Sequence, residues 1–335
     1  MPGVDDQTEA LPAPAEHVAP GAPAASLIGR TLGKFKVAEL LGRGGSGEVY
    51  RAEQPQLGRS AVIKVLHRET TAARSRSANK IERFLREAKL ASRLDHPYAA
   101  HVYAFGAETD GLLWIAMEHV RGATLDEIVA RRGAMPPAVF GPLFARICEV
   151  VHTAHELGIV HRDIKGSNVM VIERAGQLLP KLLDFGIAKG LDGGATPGGG
   201  VDHVDPALTG QGSTLGSPHY MAPEQWEAPA GVDGRADIYA LGVLAYRCVA
   251  GYLPFRGIER AGLAQAHLTM PPPPLPDHVA MPVAEAIARA MAKAREARWP
   301  DALAFGEAVR TATGDGRPAH EAVPIFDPAT RETWE

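Results

Sequence analysis

Cysteine is nearly absent from this chain. The two present, Cys148 and Cys248, sit inside apolar helical patterns rather than in paired or metal-ligand spacings, which excludes a disulfide scaffold or thiolate metal site and fits a reducing compartment. A long apolar run is also missing. The most apolar stretch, Ile238 to Tyr246, is bounded by Asp237 and Arg247 and falls far short of the roughly 20 residues that a membrane-crossing helix needs. The N-terminus carries no basic-then-apolar signal, and Met1-Pro2-Gly3 offers no glycine for myristoylation. Nor is there an excess of charge: 39 acidic residues against 35 basic ones, a formal net charge of -4, leave no global field to recruit nucleic acid or an anionic membrane. We therefore expect a cytoplasmic protein with no nucleic-acid and no membrane partner.

What is present is enough apolar sequence, 45% of 335 residues, to bury one large core or two smaller ones. Residues 1–30 are rich in Ala and Pro with no period able to bury a face, and read as a disordered leader. Short β-type runs follow at Phe35 to Leu41, Gly47 to Glu53 and Ser60 to Leu66, then an amphipathic helix over Asn79 to Leu94, then strands near Ala100 to Ala107 and Leu112 to Glu118. Beyond Gly122 the pattern is mainly helical, so a β-rich small lobe (31–118) precedes an α-rich large lobe (119–313). The fold class is α+β and bilobal, with a five-stranded antiparallel sheet plus one helix in the small lobe. Gly190 to Gly216 reads as a long flexible loop with a glycine-rich insertion at Gly190 to Gly200, and residues 314–335 as a polar tail. Pro271 to Pro274 favours a polyproline helix, either as a rigid connection between helices or as a segment that docks on a partner.

Three constellations carry chemistry. Leu41-Gly42-Arg43-Gly44-Gly45-Ser46-Gly47-Glu48-Val49 lies between two strands, where missing Cβ atoms let backbone N–H groups approach phosphate oxygens. A dinucleotide fold would need a helix directly after it, and Glu48 to Glu53 reads as a strand. Lys64 stands in the apolar strand Ala61-Val62-Ile63-Lys64-Val65, a costly place for an ammonium unless an anion meets it; nucleotide phosphates and Glu87 on the following helix are the candidates. His161-Arg162-Asp163-Ile164-Lys165-Gly166-Ser167-Asn168, followed by Asp184-Phe185-Gly186, assembles the groups phosphoryl transfer requires: a proton-accepting carboxylate, a lysine facing the phosphate, and two oxygen donors for a divalent ion.

Taken with Ala222-Pro223-Glu224, Asp237 and Arg298, all in order, these motifs resemble the eukaryotic-like Ser/Thr protein kinases found in bacteria, over roughly residues 31–313. The resemblance implies the protein-kinase fold, ATP as phosphoryl donor, Mg2+ (with Mn2+ as a substitute), and proteins with Ser or Thr as substrates. It makes Asp163 the catalytic base and Lys165 its partner at the phosphate, with Lys64 and Glu87 completing the catalytic set and Asn168 and Asp184 holding metal. It places nucleotide against Leu41, Gly42, Arg43, Gly44, Gly45, Ser46, Gly47, Val49, Val62, Lys64 and Met170, with Met117 as gatekeeper and the backbones of Glu118 and Val120 at the adenine edge. Glu224 and Arg298 are implied to form a buried structural pair, and Asp237 to anchor the turn at Arg162. Arg162 beside Asp163 implies a loop ordered by autophosphorylation, with Thr209, Ser213 and Thr214 as the candidate hydroxyls. The resemblance also allows a homodimer through the small lobes. Gly166 departs from the proline common at that position, and we expect it to loosen the catalytic loop. Two competing readings are a scaffold that binds nucleotide without turnover, disfavoured by the complete residue set, and a small-molecule phosphotransferase, disfavoured by Lys165, the long segment after Asp184 and the Ala222-Pro223-Glu224 platform.

Overall fold

The computed structural model describes residues 26–44, 47–66, 74–174, 176–185, 217–228 and 231–314, with backbone only over 74–80. Most of the leader, Gly45, Ser46, Gly186, the Gly190 to Gly216 loop with Thr209, Ser213 and Thr214, and the tail from 315 onward lie outside the described residues.

The small lobe is an antiparallel sheet of β1 (Thr31–Leu32), β2 (Phe35–Gly44), β3 (Gly47–Gln54), β4 (Arg59–Leu66), β5 (Val102–Ala107) and β6 (Leu113–Glu118), in the order β1-β2-β3-β4-β6-β5. It has one strand more than the sequence suggested. The addition, β1, is two residues long, too short to show a period of two. It turns back on β2 with Leu32 facing Phe35, and Leu32 is fully buried. The stretch before it is held as well: Gly29 N donates to Val37 O at 2.8 Å, and Arg30 Nη1 lies 2.8 Å from Asp110 Oδ2. The end of the leader therefore belongs to the sheet.

Alternation along β4 sorts its side chains. Ala61, Ile63 and Val65 enter a core with Phe35, Val37, Tyr50 and Trp114, while Val62 and Leu66 face Phe84 and Met117. The period of two places Lys64 on that second face, toward helix α1 (Arg74–Ala91) and the cleft.

The large lobe contains α2 (Leu125–Arg132), α3 (Pro137–Glu156), α4 (Pro223–Glu227), α5 (Gly234–Ala250), α6 (Arg260–Thr269), α7 (Met281–Ala290) and α8 (Ala302–Ala312). Caps set several boundaries. Thr124 and Glu127 form a reciprocal capping box at α2, Asp233 and Asp301 accept backbone N–H groups at α5 and α8, and Gly251 ends α5 with φ 83°. A second antiparallel sheet, β7 (Ala123–Thr124), β8 (Val169–Arg174) and β9 (Gln177–Leu182), carries the chemistry-bearing loops at its ends. Sequence reasoning passed over it, although buried Val169 and Val171 alternate with partly exposed neighbours before the turn at Gly176 (φ 72°).

Candidate active site

Asp163 lies in the loop between α3 and β8, and its backbone is fixed from below. Asp237, 1% exposed, accepts His161 N at 2.7 Å and Arg162 N at 2.8 Å, and its Oδ2 also lies 2.8 Å from His155 Nε2. Burial alone would push the Asp237 carboxyl up. The hydrogen bond and charge of His155, with the His161 contacts, outweigh it and hold the carboxyl below its ordinary value. Arg162 takes the left-handed backbone conformation, φ 61°, which is uncommon for a side-chain-bearing residue and sustained by these contacts. Asp237 was legible as the anchor, and His155 is its second partner.

His161 is a buried strut. Its Nε2 lies 2.9 Å from Leu183 O and its Nδ1 3.3 Å from Asp163 N, which puts the ring proton on Nε2. Burial lowers its pKa, so the ring stays neutral. The ring packs on Phe185 with centroids 4.9 Å apart, linking the Asp163 loop to the Asp184 loop.

The reactive groups converge. Lys165 Nζ lies 2.9 Å from Asp163 Oδ2, and Asn168 Nδ2 donates to the same oxygen at 3.1 Å and to Asp163 O at 2.8 Å. Those two bonds orient the Asn168 amide and leave its Oδ1 as a donor for a cation. Leu183 N donates to Asn168 O at 2.8 Å, so the residue before Asp184 is tied to Asn168. Asp184 has φ 54°.

The partner of Lys64 differs from expectation. Lys64 Nζ pairs with Asp184 Oδ2 at 2.9 Å, with side-chain exposures of 13% and 27%. Glu87 faces the charges of Arg162, Arg83 and Arg86 instead, in a half-buried position where burial raises its pKa above the ordinary glutamate value. The physical reason is competition. A carboxylate set by the Asp184 backbone reaches the ammonium, while the Arg162 guanidinium attracts the one on α1.

The glycine-rich turn is described except for Gly45 and Ser46. Gly42 pairs with Val49, Arg43 with Glu48 and Gly44 with Gly47. Arg43 Nε lies 2.9 Å from Glu48 Oε1, and Glu48 Oε2 accepts from Tyr50 Oη at 2.6 Å. Gly47 must be glycine: its φ is 135°, and a Cβ there would run into Val65 O. A Cβ at Gly42 or Gly44 would meet nothing within 4 Å, so the backbone there borders open space.

Next to this turn, Val62 pairs with Met117 and Val49 with Lys64, and Leu41 is 47% exposed. The N–H of Glu118 is spent on His101 O at 2.8 Å, so any ring contact from Glu118 falls to its carbonyl. The Glu118 side chain also accepts from Lys181 Nζ at 2.9 Å, and Lys181 reaches Ala99 O at 3.2 Å. This bridge from β9 to the interlobe strand was invisible in sequence, because it depends on two long side chains meeting across folds of the chain. A cavity of about 780 Å3 is lined by Val120 and Met170 together with Glu39, Arg51, Arg59 and His119. It does not reach Asp163 or Asp184.

Below the loop, Arg298, 1% exposed, grips Glu224 through Nη1 at 2.6 Å and Nη2 at 2.8 Å, and donates to three backbone carbonyls, Ala292, Arg235 and Lys293. The expected structural pair is present and its donors are satisfied. Gly166 has a packing role that sequence reading missed. A Cβ at that position would collide with Asp126 Oδ1 and lie 2.6 Å from its Cγ, and Asp126 in turn holds Arg247 at 3.1 Å. Glycine permits this close approach rather than loosening the loop.

Residues 35–298 match the family model described as protein kinase domain. Among similar proteins, the serine/threonine-protein kinase pkn3 of Myxococcus xanthus is 40% identical over 285 residues, covering 83% of this chain and 50% of that protein. Pkn1 of the same organism is 36% identical over 294 residues, 86% of this chain and 40% of the relative. PknJ of Mycobacterium tuberculosis is 36% identical over 294 residues, 86% of this chain and 47% of the relative. The chain thus spans half or less of the length of these curated relatives. With the convergent Asp163, Lys165, Asn168 and Asp184 in place, the conclusion is that this chain belongs to the protein kinase family.

Proposed function

We propose that this chain is a Ser/Thr protein kinase that transfers the γ-phosphoryl group of ATP to hydroxyls of proteins. The observation that carries the reading is the cluster in which Lys165 and Asn168 both hold Asp163 Oδ2 while Leu183 ties Asp184 to the same loop. The printed names of the relatives, serine/threonine-protein kinases, support it.

On this reading Asp163 orients the attacking hydroxyl and takes its proton on a carboxylate oxygen, and Lys165 balances charge beside the transferred phosphoryl. Lys64 holds nucleotide phosphates after exchanging Asp184 for them. Among the described residues no three His, Cys, Asp or Glu side chains gather to hold a metal alone. That fits magnesium, which takes one or two protein oxygens and completes its shell with phosphate and water. Asn168 Oδ1 and the Asp184 carboxylate are the fitting donors, with Mn2+ as a substitute. The bound ion would supply neutralisation of phosphate charge. Autophosphorylation at Thr209, Ser213 or Thr214 is part of the proposal, resting on the resemblance of the Arg162-Asp163 pair to that of kinases whose loop is ordered by phosphate.

The test is phosphate transfer from ATP to the chain itself and to a generic basic protein, with Asp163→Asn as control. Loss of transfer by about 100-fold or more, with an unchanged melting temperature, is the expected result. Equal transfer by the variant would refute the assignment.

A further inference from the structure

The segment Met270 to Pro276 is not used by the phosphoryl-transfer site. Helix α6 ends where Pro271 denies its predecessor the helical conformation, and Met270 has φ -84° and ψ 132°, close to the polyproline II values. No helix or strand is assigned from Pro271 to Pro276. In a helix of three residues per turn, positions 272 and 275 share one face and 271 and 274 another. The burial follows that period. Pro272 and Leu275 are partly buried, and Leu275 packs on the large-lobe core. Met270 (44% exposed), Pro271, Pro273 and Pro274 face out.

The segment is tethered at its C-terminal end. Tyr246 Oη donates to Pro274 O at 3.5 Å, Val279 N to Pro276 O at 2.9 Å, and His278 Nε2 lies 3.1 Å from Val249 O. Among the described residues nothing donates to the carbonyls of Pro271, Pro272 or Pro273.

We propose that Met270 to Pro274 is a docking strip for a protein domain carrying an aromatic-walled groove for polyproline II helices. The two outward dipeptides, Met270-Pro271 and Pro273-Pro274, match the spacing at which such grooves take residue-proline pairs. The inward Pro272 serves as the spacer between them. Unspent carbonyls offer acceptors to Tyr or Trp donors on the partner, and exposed Asp277 selects a groove with a basic rim. Because the strip is already extended and anchored, docking costs little ordering entropy. A purely structural connector would need neither the exposed pairs nor the free carbonyls.

The proposal is independent of the catalytic reading. Its test is a titration of the full chain with three purified polyproline-binding probes, an SH3, a WW and an EVH1 domain. Saturable binding of at least one is expected, weakened about tenfold by Pro271→Ala with Pro274→Ala. Met270→Asp, which keeps every proline, is expected to give a similar loss, while Leu57→Ser, an equally apolar exposed site on the small lobe (62% exposed), leaves binding unchanged. If none of the probes binds, or if the Met270 and proline variants bind as the parent does, the proposal is overturned.

Discussion

Burial raises the pKa of the Glu87 carboxyl above its ordinary value, and the neighbouring Arg162, Arg83 and Arg86 offset this only in part. An acid whose folded pKa is raised contributes stability below its unfolded pKa and loses it as pH climbs through the folded value. At neutral pH the ionised Glu87 therefore weighs against the fold described here. Glu87→Gln is expected to raise the melting temperature at pH 7, with the advantage shrinking as pH falls toward the ordinary glutamate range; melting curves of parent and variant across that range check it. If turnover requires Glu87 to replace Asp184 as the partner of Lys64, the same variant loses activity, by up to about 100-fold for a misplaced lysine. A variant that is both less stable at pH 7 and fully active would contradict this account. That choice of partner was not legible in the sequence. The residue types were plain, but whether Lys64 meets Glu87 or Asp184 is decided by the left-handed backbone at Asp184 and by the pull of Arg162 on Glu87.

Among the elements, those with a sustained period were readable, and those set by close approach were not. The apolar strand around Lys64 and the pair Glu224–Arg298 emerge where motifs and periodicity place them, while the helix carrying Glu87 runs Arg74–Ala91, starting before the expected Asn79 and ending before the expected Leu94. The two-residue β1 and the β7-β8-β9 sheet leave weaker traces, because their pairing is decided by the chain on the other side. Gly166 is the sharper case. Its role follows from the Asp126 carboxylate lying where a Cβ would go, and no local pattern announces a neighbour forty residues upstream. Gly166→Ala is expected to cost about 1–3 kcal/mol, the usual range for overpacking, by displacing Asp126 from Arg247. Urea denaturation of the variant, of Asp126→Ala and of the double variant forms the cycle. The double variant should recover part of the loss, and strictly additive losses would refute the collision.

The whole molecule is built around one helix of the large lobe. Fourteen residues of α5 are buried, from Ala236 to Ala250, so it is covered on every side, and its Asp237 fixes the Asp163 loop. The small-lobe sheet has two thinner cores, one on each face. Backbone amides of α5 should therefore exchange only through global opening, and those of β2 and β3 through cheaper local opening, with rates higher by orders of magnitude. Hydrogen exchange followed by mass spectrometry reads this directly, and faster exchange in α5 than in β2 would overturn it. The bilobal division was visible from the switch between periods of two and 3.6 residues. The bridge from Lys181 to Glu118, which ties β9 to the interlobe strand, was not.

The cleft at rest has its principal cation and a principal anion clasped together, Lys64 against Asp184. On the proposed function, an arriving nucleotide encounters a self-neutralised patch and must exchange counter-ions to settle there. Attraction from this pair contributes little to such a capture, so selection falls to what happens after contact.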